Sequence, residues 1–447
     1  MERVAPQNLI TGSIPRKLFF FTWPLVLTNF LQTLHLVTDV LLAGRLLGAN
    51  AMSAVTIGGQ SVVFLSTFSM GLAAGGQILI AQYRGAKKTK EEAQTKQALF
   101  VLSTLLGLVL ALGGFFLTSF ALGLLRTPQE ALEGAKIYMR ISTLGLVFVF
   151  LYNALAATLR GQGKAKEPLI LAIIAVGVHI MLALVFVARL DFGIFGLALS
   201  ALCGQGAAVM VGLILQRKEI FTKASGKKAI VSQKSALLKH GLAILKVGTP
   251  FGLQMCLLNL SNLFIIRLIN PFGVAASAAL GAGSRVTNML TIPLFGISNG
   301  ASTMIGQSLG AKEEDRAKKT VFWTLLYTLG FVTITIGLTL LFPARLLGVF
   351  TDKTEVIDIG VSYLRILSIA YLGHALHASF NSYALGSGKT LYSLLSAGVE
   401  ASIGRVALTW AFAGIWGMYG IFTAQSIAPF LAAGISFWYW IRVKKKR

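Results

Sequence analysis

The sequence predicts an all-α integral membrane protein, with twelve transmembrane helices in two pseudo-symmetric six-helix lobes around a central cleft. Its composition, twelve long apolar runs and an internal repeat are the observations behind this prediction. Of the 447 residues, 55% are hydrophobic and only 13% are charged, and the mean hydropathy is +0.74. Because soluble proteins carry roughly 25% charged residues, this chain has too few charges to cover a water-soluble surface of its size.

Twelve apolar runs are each long enough to cross a bilayer as a helix, which requires about 20 residues. The runs cover residues 16–43, 52–82, 94–124, 132–160, 166–189, 194–216, 239–269, 274–308, 317–342, 355–386, 390–414 and 417–441. The first run is too long for the core of a signal peptide and shows no small-residue cleavage site. We therefore expect it to be retained as the first span.

Lysine and arginine concentrate in alternate loops, and this predicts the orientation of the chain. The 40 Lys and Arg residues outnumber the 16 Asp and Glu residues, giving a formal net charge of +24. Basic clusters follow the second, fourth, sixth and eighth runs and end the chain, at residues 84–96, 160–166, 217–239, 312–319 and 442–447. By the positive-inside rule both termini are cytoplasmic, which requires an even number of spans. The basic charge thus indicates topology, and we expect no nucleic-acid partner.

The two halves of the sequence repeat each other. The tripeptide Gly85-Ala86-Lys87 recurs as Gly310-Ala311-Lys312, 225 residues later. Nearly the same offset relates Gly48 to Gly273, Gly58 to Gly283, Tyr138 to Tyr363, Arg140 to Arg365, Gly163 to Gly388, Pro24 to Pro250 and Gly193 to Gly417. Each half holds six runs, so both copies have the same orientation, as in transporters with parallel repeats.

The repeat predicts three segments along the chain. Residues 1–216 form an N-terminal six-helix lobe, residues 217–238 a cytoplasmic linker loop, and residues 239–447 a C-terminal six-helix lobe. A static structural protein of twelve helices would show the same symmetry. Two parallel lobes with a substrate path between them are nevertheless the usual architecture of alternating-access transporters.

Asp39 is the leading candidate for a functional residue. An ionisable side chain facing lipid costs at least about 2.5 kcal/mol, so an acid within a span must face water, a lumen or a partner. Asn29, Gln32, His35 and Asp39 follow helical steps of three and four residues and therefore share one face of the first span. This polar stripe predicts a helix beside an aqueous cavity, with Asp39 as a proton-exchanging group and His35 as a candidate proton relay. The alternative is an Asp39 that pairs with a base and holds the bundle together.

Glu400, in the eleventh run, is the secondary candidate. It lies five residues before Arg405, a spacing that puts the two side chains on different faces of an α-helix, so we expect no direct pair within the helix. Several intramembrane arginines need counter-charges: Arg140, Arg285, Arg365 and Arg405. Glu400 is therefore either one member of a structural ion pair or a residue with a role in transport.

The sequence lacks the motifs of other functional classes. It has no phosphate-binding Gly-x-x-x-x-Gly-Lys-Ser/Thr loop, no nucleophile elbow and no zinc-ligand spacing. His374 and His377 share a helix face but have no Cys, Asp or Glu beside them, so we predict no metal site. We expect no enzymatic activity and no cofactor, and an ion gradient is the remaining energy source; the alternative from another class is an intramembrane enzyme.

The sequence resembles the MATE (multidrug and toxic compound extrusion) transporters. Pro24 and the run LQTLHLVTDVLLAGRLLGANAMSAV, which holds Gln32, Asp39, Gly44 and Gly48, are similar to the family's first-span signature. The segments LRGQGKAKEP after the fourth run and GQSLGA after the eighth run also resemble family patterns. The resemblance covers essentially the whole chain.

The resemblance implies a V-shaped pair of lobes and drug export in exchange for protons or sodium ions. Asp39 matches the aspartate implicated in coupling, and Asn153 matches a polar position on the fourth span near it. Two departures exist: the fifth span has His179 where the family often has an acid, and no acid lies deep in spans seven, eight and ten. The pattern therefore resembles the proton-coupled, DinF-like branch more than the sodium-coupled, NorM-like branch.

We expect a secondary active multidrug efflux antiporter that exchanges protons for amphipathic, often cationic, organic compounds. The alternatives are a flippase for a lipid-linked saccharide or other lipid, for which the four intramembrane arginines would bind diphosphate, and a sodium-coupled drug exporter. The lipid bilayer and small-molecule substrates are the expected partners of a monomer. We expect it in a bacterial cytoplasmic (inner) membrane.

Overall fold

The computed structural model describes residues 9–125, 127–220 and 227–445. The basic residues within 221–226 and 446–447, which contributed to the topology prediction, lie outside the described residues. Helices account for nearly all of the described chain. They are α1 (Ile14–Leu42), α2 (Ala49–Gly85), α3 (Thr89–Leu124), α4 (Gln129–Leu144), α5 (Leu146–Gly161), α6 (Lys166–Ala183), α7 (Gly193–Ile220), α8 (Lys227–Ile269), α9 (Val274–Gly310), α10 (Glu314–Leu341), α11 (Pro343–Gly348), α12 (Thr354–Gly386), α13 (Thr390–Val399) and α14 (Leu408–Lys445).

Three π-helical segments extend these helices. Ala43–Leu47 follows α1, Leu184–Arg189 follows α6, and Glu400–Ala407 joins α13 to α14. A π-helix has a wider turn with hydrogen bonds between residues five apart, and such segments are frequent at functional sites. Two of the three segments adjoin the helices that carry Asp39 and His179, and the third contains Glu400.

The helices account for the twelve predicted spans. By length and apolar composition, nine helical stretches of the described chain can cross a membrane, and α4 with α5, bent by 42°, makes a tenth. The last stretch, Thr390–Lys445, is 56 residues long and breaks at Gly417, where φ is 57° and ψ is −137°. It therefore holds two of the predicted spans, and α9, 37 residues long but less apolar, contains the remaining one.

The two repeats have the same backbone shape at matching positions. Residues with positive φ recur in pairs: Gly48 (89°) with Gly273 (101°), Lys87 (56°) with Lys312 (63°), Gly163 (83°) with Gly388 (74°), and Gly193 (56°) with Gly417 (57°). Eight of the ten described residues with positive φ fall into these four pairs, and one pair, Lys87 with Lys312, adopts a conformation that is uncommon outside glycine. The predicted duplication is thus visible in the geometry of the turns.

The described helices form two compact units. The first contains residues 27–252, and the second contains residues 9–26 and 253–445. The change of unit occurs inside α1 and inside α8, in each case two residues after a proline within the helix, Pro24 and Pro250. The expected lobes, 1–216 and 239–447, therefore describe the duplicated sequence. The packed units differ from these lobes because the first part of α1 belongs to the second unit and the first part of α8 belongs to the first unit, an exchange of two half-helices.

Glycines on α2 and α9 make these exchanged contacts possible. Within the first unit, a Cβ atom on Gly75 of α2 would lie 2.5 Å from the carbonyl oxygen of Ile244 and 2.8 Å from the amide nitrogen of Gly248, both on α8. Within the second unit, a Cβ on Gly296 of α9 would lie 2.6 Å from Cγ2 of Val26 on α1. In each unit the first half of an exchanged helix thus approaches the backbone of its neighbour directly.

The predicted linker is mostly helical, which corrects the expectation of a loop over 217–238. Helix α7 continues to Ile220 and α8 begins at Lys227, so only residues 221–226 of that segment lie outside the described helices. The segment after Gly226 is rich in Lys, Ala and Leu, which are good helix formers. Charged residues end a membrane span without ending the helix that carries it.

Candidate functional site

Asp39 lies in the interior of the first unit and is 5% exposed. Its Oδ1 is 3.0 Å from Nε2 of His179 on α6, and its Oδ2 accepts a hydrogen bond of 2.8 Å from the hydroxyl of Tyr138 on α4. A buried carboxylate is costly unless it is paired and hydrogen-bonded. Both oxygens of Asp39 have a partner, so this acid is accommodated in an apolar bundle.

His179 connects Asp39 to His35. The Nδ1 atoms of His179 and His35 are 2.9 Å apart, and the ring centroids are 4.4 Å apart. A hydrogen bond between two Nδ1 atoms requires that one of them carries a proton and that the other does not. His179 is 0% exposed and His35 is half-buried. We call Tyr138, Asp39, His179 and His35 the Asp39 cluster; two hydrogen bonds and one ion-pair contact link these four titratable side chains.

Local sequence explains how the members of the cluster meet. His35 and Asp39 are four residues apart and therefore lie on one face of α1, one turn from each other. Gly204 on α7 allows α6 to approach closely, because a Cβ there would lie 2.9 Å from Cβ of His179. Gly58 on α2 leaves room for the other end of the cluster, since its Cβ would lie 3.2 Å from Cδ1 of Tyr138.

The remaining residues of the predicted stripe lie on α1 as expected. Asn29 and Gln32 are half-buried, and Gln32 lies beside the Tyr152 hydroxyl. On the opposite face, large apolar side chains are exposed: Leu34, Val37 and Leu41. This distribution of exposure matches a helix with one polar and one lipid-facing side.

Asn153, which matches a polar position near Asp39 in the resemblance, has a hydrogen-bond partner on α2. Its Nδ2 donates a hydrogen bond of 2.7 Å to Oγ of Ser69 on α2. Among the described residues, no hydrogen bond joins Asn153 to Asp39. The side chain therefore connects α5 to α2 and takes no direct part in the Asp39 cluster.

Tyr138 and His179 are site residues that sequence reasoning did not select. Tyr138 is one of the repeated residues, with Tyr363 as its match, and repetition alone does not distinguish a structural side chain from a functional one. His179 was noted only as the residue in place of a fifth-span acid. The histidine at this place was the available signal, because a protonated histidine can form an ion pair with Asp39, which a second acid cannot.

Glu400 pairs with Arg405, contrary to the prediction that their spacing prevents a direct contact. Nε and Nη2 of Arg405 lie 3.2 and 3.1 Å from Oε1 of Glu400, which is 3% exposed. The prediction assumed an α-helix, whereas Glu400–Ala407 is π-helical. In a π-helix, residues five apart share a backbone hydrogen bond and lie about one turn from each other, so the wider turn brings the two side chains together.

Further polar groups of the second unit surround this pair. Nη1 of Arg405 donates a hydrogen bond of 2.8 Å to Oδ1 of Asn262 on α8. His374 and His377 on α12 interact electrostatically with Glu400, and Nδ1 of His377 is 3.1 Å from Oγ of Ser436. Four of the five histidines of the chain thus accompany the two intramembrane acids. In the described part of the chain, no group of three or more His, Cys, Asp or Glu side chains could hold a metal ion.

Comparisons with known proteins agree with this architecture. Two curated relatives from Bacillus subtilis are named probable multidrug resistance proteins: YoeA is 29% identical, with alignment over 100% of this chain and 98% of YoeA, and YpnP is 28% identical, over 94% and 95%. The solved structure of the Vibrio cholerae MATE transporter VcmN matches with a TM-score of 0.90, at 22% identity and 99% coverage of both chains.

A family model gives the assignment. The MatE model matches residues 24–185 and 250–425, two segments that begin 226 residues apart, as the repeat requires. Together the segments include Asp39, Tyr138, His179 and Glu400. The chain therefore belongs to the MatE family, whose members are membrane transporters and not enzymes.

Proposed function

We propose that this protein exports amphipathic, often cationic, organic compounds in exchange for protons by alternating access, and that Asp39 couples the two movements. Two relatives are named probable multidrug resistance proteins, and these names support organic compounds as the substrates. We place the protein in a bacterial cytoplasmic (inner) membrane as a monomer, with both termini cytoplasmic and the proton gradient as its energy source. No further cofactor is required by this mechanism.

The observation that carries the proposal is the contact of buried Asp39 with titratable side chains, a hydrogen bond from Tyr138 and an ion-pair distance to His179. Its two oxygens contact His179 and Tyr138 at 3.0 and 2.8 Å, and His179 contacts His35 at 2.9 Å. Ionisable residues within membrane spans commonly form proton relays in transporters. A cluster of this kind responds to the addition of one proton by changing its net charge and its hydrogen bonds.

The same contacts argue against the sodium-coupled alternative. Hard cations such as Na⁺ are bound by several oxygen ligands, as the better-known calcium and magnesium sites illustrate. Here Asp39 contributes the only carboxylate among the described members of its cluster, and both of its oxygens already have partners. Together with the sequence pattern, this supports membership of the DinF-like branch.

The flippase alternative has less support. It requires a strongly cationic cluster for a diphosphate group, but the charge of Arg405 is compensated by Glu400 at 3.1 Å. Arg140 belongs to the first unit and stacks on Phe115, with its Cζ 5.7 Å from the ring centroid. We therefore assign no second function to this chain.

Transport in proteoliposomes tests the proposal. A cationic dye should be moved against its gradient when a pH gradient alone is imposed, and not when a sodium gradient alone is imposed. Asp39→Asn should abolish proton-driven movement, because the variant removes the ionised group but keeps its size. Asp191→Asn is the matched control, since it makes the same change in an exposed loop of the same unit. Undiminished proton-driven transport by Asp39→Asn would disprove the assignment.

A further inference from the structure

We propose that the first turn of α13 and the last turns of α14 bind the headgroup of an anionic phospholipid. The site consists of three aromatic side chains, Tyr392, Trp438 and Tyr439, which we call the aromatic shelf, and of two cations at its outer edge, Lys389 and Arg442. The second unit thereby has a lipid partner of defined charge, which goes beyond the proposed transport function and does not depend on it.

Three rings from two helices form the aromatic shelf. The ring of Tyr392 stacks on that of Tyr439, with their centroids 4.1 Å apart, and its centroid lies 6.3 Å from that of Trp438. The Tyr439 hydroxyl is 3.3 Å from Oγ of Ser387, in the turn between α12 and α13. Trp438 is 47% exposed. Tryptophan and tyrosine are enriched where the hydrocarbon of a bilayer meets its headgroups, so the aromatic shelf lies at headgroup depth.

Arg442 is held against the aromatic shelf while its hydrogen-bond donors remain available. Its Cζ lies 4.1 Å from the ring centroid of Trp438, the residue one helical turn before it. A guanidinium group over an indole keeps its five N–H groups at its edges, and among the described residues none of these groups has a hydrogen-bond acceptor. The planar fork of arginine matches two oxygens of a phosphate group, so a phosphodiester is a suitable acceptor here.

Lys389 supplies a second cation at the same end of the unit. It directly precedes α13, one turn before Tyr392, and is exposed. The chain segments are antiparallel, because a Cβ on Gly404, after α13, would lie 2.6 Å from Cβ of Ala428, well before the end of α14. Lys389 and Arg442 therefore both lie about one turn beyond the aromatic shelf, on the side away from the centre of the unit.

The positive charge at this end has no acidic partner in the part of the chain that the structure describes. The cations are Lys389, Arg442, Lys444 and Lys445. No Asp or Glu occurs over residues 359–399 or 401–445, and none of the described ion pairs includes these cations. Glu314, which interacts electrostatically with Tyr383 beside Tyr439, has Lys318 at 3.8 Å. An anionic headgroup would therefore balance the charge, whereas the ammonium group of a zwitterionic headgroup would be repelled.

The matching end of the first repeat keeps the basic charge but lacks the aromatic shelf. At offsets of 224 and 225 residues, the positions of Trp438 and Tyr439 fall within residues 213–215, which are Leu, Ile and Leu. Tyr392 matches Glu167, whose carboxylate would repel a phosphate group. Basic residues that both repeats share are explained by membrane topology. The aromatic shelf with its stacked arginine belongs to the second repeat, so topology does not explain it.

Native mass spectrometry of the purified full-length protein with added phospholipid tests the site. We expect phosphatidylglycerol to bind saturably and more tightly than phosphatidylethanolamine. Arg442→Gln combined with Lys389→Gln should weaken phosphatidylglycerol binding by about 25-fold, because each cation near an anionic lipid surface contributes about fivefold. Arg217→Gln is the matched control, since it removes an exposed arginine at the end of α7, where no aromatic shelf exists. Its phosphatidylglycerol binding should equal that of the wild type.

A second variant and a second anion complete the test. Trp438→Leu keeps every charge but gives the shelf position a residue type found in the first repeat, and it should also weaken phosphatidylglycerol binding. Thermal unfolding in detergent should shift to higher temperature with phosphatidylglycerol and not with inorganic phosphate. An equal shift with inorganic phosphate would overturn the lipid assignment in favour of a free anion. Equal binding of the two phospholipids, or unchanged binding after Arg442→Gln with Lys389→Gln, would overturn the site itself.

Discussion

Tyr138 and Tyr363 occupy matching positions of the two repeats but have different partners. Tyr138 donates to Asp39, whereas Tyr363 lies beside Ser284 and Thr287. Each ring packs against a matching glycine, Tyr138 against Gly58 and Tyr363 against Gly283. A Cβ atom added to Gly283 would collide with the ring of Tyr363. The duplicated tyrosine is thus a packing feature in both lobes, to which the first lobe has added a charged partner.

Tyr138→Phe should move the pH dependence of transport towards higher pH. The substitution removes one donor to ionised Asp39, so the deprotonated cluster loses a hydrogen bond while the ring remains. A hydrogen bond to a charged group contributes about 1.5–3 kcal/mol, which corresponds to a shift of about 1–2 pH units in the midpoint of transport. The measurement is dye efflux as a function of pH.

Tyr363→Phe provides the control for this shift. It makes the same change at the matching position of the second repeat, where no carboxylate accepts from the hydroxyl. Its pH midpoint should stay at the wild-type value. Equal shifts in both variants would attribute the effect to packing and would contradict the role of the Tyr138 hydroxyl.

Sequence reasoning at the level of single residues found the acids but not all of their partners. Asp39 and Glu400 were conspicuous because a charge within an apolar span is costly. A neutral tyrosine or histidine does not carry the free-energy cost of a charge within a span. The presence of Tyr138 and His179 in spans therefore does not by itself indicate a site. Their importance depends on contacts between α1, α4 and α6, which composition and periodicity within one helix do not encode.

At the level of elements, the π-helical segment Glu400–Ala407 determines that Arg405 neutralises the charge of Glu400 in the second lobe. The wider turn makes an i,i+5 ion pair possible, and this pair then lies against Asn262 of α8. No sequence signal distinguishes this segment from an α-helix. The boundaries of the apolar runs were therefore predictable, whereas the helix type inside one of them, and the contact that depends on it, was not.

Glu400→Gln should destabilise the protein, and Glu400→Gln/Arg405→Gln should recover much of that loss. Removal of one partner leaves a charge without compensation in the membrane interior, which costs about 3–5 kcal/mol for a fully buried pair and less here because Arg405 is partly exposed. Thermal unfolding in detergent measures the difference. If the double variant is stable and retains proton-driven dye efflux, Glu400 is structural. Loss of coupling in a stable double variant would indicate a transport role instead.

The contact between α2 and α8 depends on the absence of a side chain at Gly75. Gly75→Ala should lower stability by about 1–3 kcal/mol, as expected when extra volume is forced into a packed interface, because the new methyl group meets backbone atoms of Ile244 and Gly248. Gly113→Ala on α3 is the control: nothing lies within 4 Å of its Cβ position, and alanine is the better helix former. A destabilised Gly113→Ala together with a stable Gly75→Ala would contradict this reading of the interface.

At the level of the whole molecule, the exchange of half-helices makes each half of the chain incomplete by itself. Residues 9–26 pack in the unit that contains residues 253–445, and the first part of α8 packs with residues 27–220. A chain divided within residues 221–226 should therefore yield two fragments that are degraded when expressed singly and that accumulate when co-expressed. Fragment levels in membranes measure this, and a stable fragment 1–220 on its own would contradict it.

The overall architecture was largely predictable because its determinants repeat along the sequence. Twelve apolar runs, alternating basic loops and the 225-residue offset each involve many residues, so errors at single positions have little effect. The exchanged packing of α1 and α8 was not predictable, since it depends on which neighbour each half-helix approaches. Only the paired prolines, Pro24 and Pro250, indicated where the change occurs.

The exchange of half-helices also bears on how such a protein could have originated. Two copies of a half-length chain, each giving the start of its first helix to the other, would form a closed pair with no half-helix left over. Fusion of two such genes would keep every contact and remove only the need for the chains to find each other. Gly75, which faces α8, and Gly300, 225 residues later and facing Thr22 of α1, leave room for the exchanged segments. They would then record a contact that was once made between separate molecules.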